Sequence, residues 1–287
     1  MRLLRKSTSR PVLLLRILIL TTRKFFIIEG PQRAASFAYY AFFSLFPLVV
    51  LFVTIGSYFA TPEIATRRVL GYFESFAPVE AETRRQVFET IVRVVKVRAR
   101  YGILASAVLI WGSLHFFKAL IRATNLAWGA PLHNWWRVPL KSLLLLIVMG
   151  STLLVGIAVS VFSRVIRHAL PMSDSVTAGL YTAGLSLASI LILFYGLTLF
   201  YKLTPRRTTT FAEVWAGGLA AAVLLRFLGT AFVYYLSNFS QINALYGTFG
   251  GIMALLLWVY FSGCIVVLGA CLSAAQAELR HASREKH

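Results

Sequence analysis

The sequence predicts an all-α polytopic membrane protein with six transmembrane helices and further amphipathic helices at the membrane surface. Of the 287 residues, 58 % are hydrophobic, and the mean hydropathy is +0.74. Because about 20 apolar residues in a helix cross the hydrocarbon core, the long uncharged runs along the chain indicate membrane spans. The 29 basic and 10 acidic residues lie mainly between those runs. We therefore interpret the net charge of +19 as a topology signal and as contacts to anionic lipid headgroups, with no role in nucleic-acid binding.

Three segments make up the predicted chain. Residues 1–33 form a cytoplasmic N-terminal segment, 34–277 the transmembrane domain, and 278–287 a charged cytoplasmic tail. Within the first segment, Pro11 to Ile28 is typical of an interfacial helix, with a partly buried first helix as the alternative. The expected spans are residues 35–59, 101–117, 142–163, 175–201, 214–236 and 247–277.

The first span carries a polar face. Residues 34–62 contain no Asp, Glu, Lys, Arg or His. Pro47 supplies no N–H and frees a backbone carbonyl in mid-membrane, which a neighbouring helix, a hydroxyl group or water must satisfy. This pattern fits either a proline kink packed on another helix or a hinge that faces a substrate. The candidate substrate-path residues here are Ser36, Tyr39, Tyr40, Ser44 and Pro47; all but Tyr39 lie within an arc of about 80°.

The connector after the first span is long and amphipathic. Residues 61–100 contain five acidic and eight basic residues. Val87, Ile91, Val94 and Val95 form an apolar stripe at helical spacing. We expect helices that lie on the bundle or on the extracytoplasmic surface of the membrane, and a solvated connector is the alternative.

Helix ends and basic residues set the predicted topology. Gly129, Ala130 and Pro131 end the second transmembrane helix, which is expected to continue past residue 117 towards Trp128. The sixth apolar run of 31 residues would be about 46 Å long as a helix, so it must tilt, kink or project from the bilayer. The short basic loops favour a cytoplasmic location for both termini.

Arg226 is the one charged side chain well inside a predicted span. Its planar guanidinium could bind a phosphate or carboxylate that crosses the membrane. Alternatively, it could extend to the interface or bond to backbone carbonyls. Asn125 and Tyr246 are further polar candidates for the substrate path, although for each of them alone a structural role is favoured.

Glycines mark expected helix contacts. Gly247, Gly250 and Gly251 begin the sixth span, with GxxxG spacing between the first and the last. Gly269 and Ser273 repeat the spacing of small residues later in the same span. Small residues allow helices to approach closely, so packing is favoured over a hinge. These faces permit a homodimer without requiring one.

The sequence does not predict an enzyme. We find no phosphate-binding GxxxxGK[ST] loop, no HExxH motif and no GxSxG motif. No metal site and no cofactor are predicted. Cys264 and Cys271 are about 10 Å apart along one helix, which is too far for a disulfide between them.

Four stretches resemble the YihY/BrkB family of bacterial inner-membrane proteins. They are AASFAYYAFFSLFP at 34–47, ATNLAW at 123–128, YG at 246–247 and LLLWVYFSGCIVVLGA at 255–270. The resemblance implies a six-helix protein of the bacterial inner membrane, for which transport of a lipid or another amphiphile has been suggested in some members. Family members also carry the label ribonuclease BN, from an assignment now considered mistaken.

Two positions depart from the family pattern. Cys271 and Arg226 stand where the family often has Glu, which weakens any mechanism that relies on those carboxylates. From the basic residue Arg226 inside a span, the kinked polar face of the first span and the basic amphipathic segment 61–100, we expect a transporter or flippase-like protein for an anionic amphiphile or lipid. A membrane scaffold that binds lipids or partners without moving them is the alternative, and a membrane-bound ribonuclease is the third hypothesis.

Overall fold

A computed structural model describes residues 10–56, 64, 88–89, 98–130, 137–169, 175–238 and 248–284. Every regular element in these ranges is a helix, which confirms the all-α prediction for the described residues. Most of the predicted amphipathic segment 61–100 lies outside them. The helices are α1 (Arg10–Ile27), α2 (Gly30–Gly56), α3 (Arg98–Ala127), α4 (Arg137–Ala169), α5 (Ser175–Leu203), α6 (Phe211–Asn238) and α7 (Thr248–Arg284).

Three stretches of the described residues are long and apolar enough to cross a membrane. Ala183–Leu203, Phe211–Tyr235 and Gly251–Ala282 have hydropathies of 2.0, 1.8 and 2.3. They coincide with the fourth, fifth and sixth predicted spans. The first three predicted spans overlap α2, α3 and α4. Their passage through a membrane stays a prediction.

A tight turn joins α1 to α2. Glu29 adopts a left-handed backbone conformation with φ of 56°, and its N–H donates to the Phe26 carbonyl at 3.0 Å. Gly30 lies against the ring of Phe25, where a Cβ atom would overlap the ring. Helix α2 begins at Gly30, before the predicted domain boundary at residue 34. Pro31 favours this early start because proline is well suited to the first turn of a helix.

The chain divides into two compact units, which we describe separately. The first unit comprises Met1–Gln32, Leu120–Arg226 and Cys264–His287. The second comprises Arg33–Ala119 and Phe227–Gly263. Helices α2, α3, α6 and α7 each contribute residues to both units.

Small residues bring α6 and α7 together in the first unit. A Cβ atom at Gly217 would overlap the Ser273 hydroxyl and the Gly269 carbonyl. The Ser273 hydroxyl donates to the Gly269 carbonyl within its own helix at 3.0 Å. The two backbones are thus close enough that only glycine fits at 217, in agreement with the packing role of small residues in membrane helices.

Helix α5 packs on the same pair of helices. The hydroxyl of Tyr201, which is fully buried, donates to the Val266 carbonyl of α7 at 2.8 Å. The absence of a side chain at Gly269 leaves the space that this hydroxyl occupies. Gly218 of α6 lies against Thr198 in a similar close contact.

The second unit packs α2 against parts of α3 and α7. Phe37 of α2 stacks on Phe116 of α3, with ring centroids 4.3 Å apart. The same ring lies against Gly263 of α7. One further contact pairs Gly112 of α3 with the Ser44 side chain, whose Cβ lies 3.2 Å from where a Cβ of residue 112 would be.

Replacement of Gly217 tests the close contact between α6 and α7. We expect Gly217→Ala to lower the apparent melting temperature in detergent, because overpacking of about 1–3 kcal/mol exceeds the gain of about 1 kcal/mol from alanine in a helix. Gly229→Ala is the matched control on α6, since no atom lies within 4 Å of its Cβ position. Equal melting temperatures for both variants would contradict the contact.

Candidate functional site

A pocket of about 440 Å³ lies at one end of the first unit. Helix α1, the carboxyl ends of α3 and α7, and the loop between α5 and α6 all contribute to it. Its volume is within the range of about 300–1,000 Å³ typical of small-molecule sites. We refer to it as the basic pocket, and it is lined by Lys24, Ala127, Trp128, Arg207, Ala274, Glu278, His281 and Ala282.

The end of α3 positions Trp128. Gly129 adopts φ of 61°, and its N–H donates to the Leu126 carbonyl at 3.0 Å. The Ala130 N–H donates to the Asn125 carbonyl at 2.9 Å. These two bonds form a Schellman cap, which needs a left-handed residue and so favours glycine at this position. The cap ends the helix at Ala127 and leaves Trp128 at the pocket wall.

Asn125 holds the loop that carries Arg207. Its side chain is fully buried, and its Nδ2 group donates to the Ile121 carbonyl at 2.8 Å. Its Oδ1 atom accepts from the Arg206 backbone N–H at 2.9 Å. The Thr209 hydroxyl donates to the Lys202 carbonyl at 3.0 Å, which closes the other side of the loop. Asn125 is therefore a buried anchor of the loop.

Glu213 connects the loop, α6 and α7. Its Oε2 atom accepts from the Thr210 backbone N–H at 2.9 Å, as in a capping box at the start of a helix. Its Oε1 atom lies 3.1 Å from Arg207 Nη2 and 2.9 Å from His281 Nε2. The Glu213 side chain is only 10 % exposed, so it is engaged from three sides inside the protein.

Two further contacts complete the pocket wall. The guanidinium carbon of Arg207 lies 4.8 Å from the ring centroid of Trp128, a distance typical of a cation–π contact. Lys24 Nζ lies 2.9 Å from Glu278 Oε2 and 3.4 Å from the Ala127 carbonyl oxygen. Lys24 thereby joins α1 to the ends of α3 and α7.

The chemistry of the pocket is that of a binding site for a charged group. It presents Lys24, Arg207 and the imidazole of His281, together with the carboxylate of Glu278. Arginine and lysine are the side chains that bind phosphate and carboxylate groups. Among the described residues, no group of three His, Cys, Asp or Glu side chains is arranged to hold a metal ion.

The residues predicted from the first span do not line the pocket. Tyr40 of α2 stacks on His115 of α3, with ring centroids 5.2 Å apart, and the Ser44 hydroxyl donates to the Tyr40 carbonyl at 2.9 Å. Ser36 and Tyr39 are exposed. Helix α2 continues through Pro47, whose side chain lies outside the described residues. The contacts of Tyr40 and Ser44 are those of a face packed on α3.

The remaining predicted residues are dispersed along α6 and α7. Arg226 is exposed on α6, about 22 Å along the helix axis from Phe211. Gly251 is exposed with no atom within 4 Å of its Cβ position, whereas Gly269 packs against α5 and α6. Tyr246 and Gly247, and the surroundings of Gly250, lie outside the described residues.

Sequence reasoning missed the charged pocket residues. Thr210 and Glu213 form a T-x-x-E capping box ahead of an apolar run, and this motif could have identified Glu213 as an anchored acid. Lys24, Glu278 and His281 have no such local signal. Lys24 is more than 250 residues from Glu278 and His281 along the chain, and only the packing of α1 on α7 brings them together.

Comparison with known proteins identifies relatives that match most of the chain. Residues 22–287 match the family described as virulence factor BrkB. YfkH of Bacillus subtilis (strain 168), whose name describes it as ribonuclease-like, is 30 % identical over 86 % of this chain and 90 % of its own length. A UPF0761 membrane protein of Vibrio campbellii is 26 % identical over 87 % of this chain and 78 % of its own length.

A third relative is longer than this chain. It is a UPF0761 membrane protein of Xanthomonas axonopodis pv. citri, 25 % identical over 87 % of this chain, which spans only 58 % of that protein's length. No solved structure matches the chain.

Substitution of Glu213 tests its role in holding the pocket. We expect Glu213→Ala to lower the free energy of unfolding by about 2 kcal/mol, since it removes the helix cap and the carboxylate that is paired with Arg207. Glu213→Gln retains an acceptor for the Thr210 N–H and should lower the stability by about half as much. Thermal unfolding in detergent measures both, with Glu29→Gln, at an exposed acid, as the control. If Glu213→Ala and the control variant unfold at the same temperature, this role is contradicted.

Proposed function

The chain belongs to the virulence factor BrkB family and is a membrane protein, and from this premise we propose that it moves an amphiphile with an anionic group between the two leaflets. The observation that carries the proposal is the basic pocket, to which α1 contributes Lys24, while other side chains of the same helix are apolar and exposed. A ligand with a charged headgroup and an apolar chain is complementary to such a combination. The proposal concerns lipid-like molecules and involves no cofactor.

Helix α1 supports a location of the pocket at headgroup depth. Lys24 is paired with Glu278 of α7 and Thr21 is buried, whereas eight large apolar side chains of the same helix are exposed. A helix with this division lies in the membrane interface, its apolar face towards the acyl chains. The exposed apolar residues of α1 are Val12, Leu13, Leu14, Leu15, Leu18, Ile19, Phe26 and Ile27.

The helix ends around the pocket support an assignment to the cytoplasmic side. The carboxyl ends of α3 and α7 and the loop between α5 and α6 meet there. This grouping is expected if the successive helices cross the membrane in alternate directions. Because short basic loops favour the cytoplasm, we place the pocket and both termini on the cytoplasmic side of the inner membrane.

Arg226 supplies a second charged position in this proposal. It lies on α6, about 22 Å along the axis from the end that carries the pocket. A charged headgroup that crosses a hydrocarbon core of about 30 Å needs a polar partner on the way. We assign that role to Arg226, and passive scrambling is the simplest mode of movement.

One observation favours the alternative of a lipid-binding scaffold. The lining of the basic pocket does not include Arg226 or any other residue of α6. A protein that only holds a lipid headgroup at the membrane surface needs no more than this. The two functions differ in whether the bound amphiphile changes leaflet.

Lipid movement in vesicles tests the proposal. Purified protein in liposomes should accelerate the exchange of acyl-chain-labelled phosphatidylglycerol or phosphatidylethanolamine between leaflets, measured by dithionite quenching of the fluorophore. We expect Lys24→Gln and Arg226→Ala each to slow the exchange about fivefold, as expected for the loss of one solvent-exposed ion pair. Lys202→Gln removes an exposed lysine at the same end of the unit and serves as the control.

The outcomes separate the two functions. If the wild-type protein leaves the exchange no faster than in empty vesicles, transport is contradicted and the scaffold is favoured. If the wild type accelerates exchange and both variants match the control, movement occurs by a route without these residues.

A further inference from the structure

The basic pocket contains charges of both signs, but only one of the two nearby carboxylates is accessible to a ligand in the pocket. Glu213 does not line the pocket, and it is engaged by Arg207, His281 and the Thr210 backbone. Glu278 does line the pocket, and its side chain is 58 % exposed. An occupant of the pocket therefore meets the carboxylate of Glu278 directly.

Glu278 disfavours a ligand that carries negative charge alone. Its Oε2 atom lies 2.9 Å from Lys24 Nζ, so the charges of these two side chains neutralise each other. An anion that binds Lys24 must share it with Glu278 or take it away. Either result places two negative groups close together, which is unfavourable in a partly buried site.

Glu278 favours a ligand that also carries a protonated amine. A carboxylate has two oxygen atoms that can accept about four hydrogen bonds, so it can bind a second ammonium while it keeps Lys24. The phosphate of the same ligand can then bind Lys24 and the guanidinium of Arg207. Arg207 uses Nη2 for Glu213 and His281, and a guanidinium has five N–H donors in total.

From this arrangement we infer that the basic pocket binds a headgroup that carries both a phosphate and a primary amine, with Lys24 and Arg207 on the phosphate and Glu278 on the ammonium. The inference rests on the proposed function and narrows its substrate class from amphiphiles with an anionic group to those that also carry a primary amine. A quaternary ammonium has no N–H group to donate to Glu278. Arg207 already lies over the Trp128 ring, which would otherwise attract a quaternary cation.

Equilibrium titration of the purified protein in neutral detergent tests this inference. The probes are dihexanoyl-phosphatidylethanolamine, dihexanoyl-phosphatidylglycerol and dihexanoyl-phosphatidylcholine, and calorimetry gives the dissociation constant of each. We expect the ethanolamine lipid to bind about fivefold more tightly than the other two, as one additional ion pair to the half-exposed Glu278 side chain implies. Tighter binding of the glycerol lipid, or equal affinity for all three, would overturn the inference.

A variant with an uncharged side chain of similar shape at position 278 distinguishes ligand recognition from folding. Glu278→Gln should weaken the binding of the ethanolamine lipid about fivefold and strengthen that of the glycerol lipid, because it removes the carboxylate that repels a purely anionic ligand. Glu29→Gln makes the same change at an exposed acid outside the pocket and should alter neither. Equal weakening of all three lipids by Glu278→Gln would assign Glu278 a structural role and overturn the inference. If that variant does not fold, the wild-type comparison of the three lipids decides.

Glycerophosphoethanolamine identifies the source of the headgroup. Weaker binding of this soluble molecule than of the lipid supports a membrane lipid, and equal binding supports a free zwitterion with the same chemistry. The transport assay is independent of this titration. Selective binding without movement in vesicles would reject transport and keep the ligand class, whereas movement without selectivity would reject the ligand class alone.

Discussion

The carboxylate of Glu213 is the interaction on which the described pocket depends. It caps the start of α6 through the Thr210 N–H and also binds Arg207 and His281. A carboxylate that is 10 % exposed requires such partners, because an unpaired buried charge is strongly unfavourable. The same contacts fix Arg207 against Trp128. The helix cap and the pocket wall are therefore one structure.

The position of that structure depends on glycines some distance away. Gly217 and Gly269 allow α6 and α7 to approach so closely that the backbone at Gly217 is in contact with the Ser273 side chain. Tyr201 uses the space over Gly269 to reach a carbonyl of α7. Close approach of this kind replaces the hydrophobic driving force that helices lack in lipid. The register it imposes places the last turns of α7 beside Arg207 and α1.

The sequence predicted the helices better than it predicted the site. Apolar runs and Gly129 indicated where helices lie and where α3 ends, since both are local properties of the chain. Arg226 attracted attention because a lone charge in an apolar run is visible in one dimension. Asn125 was also visible, but its buried bond to the Arg206 N–H makes it an anchor of a loop. Lys24 and Glu278 were overlooked, because nothing local distinguishes them from other charges near helix ends.

Apolar runs and family motifs are local properties of the sequence, and they are enough to identify a helical membrane protein of the BrkB family. Which charged side chains meet depends on the tertiary structure. Lys24 and Glu278 form an ion pair across more than 250 residues because α1 packs against the end of α7. Charge pairing over such a separation depends on the path of the backbone in space. The physical character of the basic pocket, with cations beside one accessible carboxylate, is therefore a property of the fold.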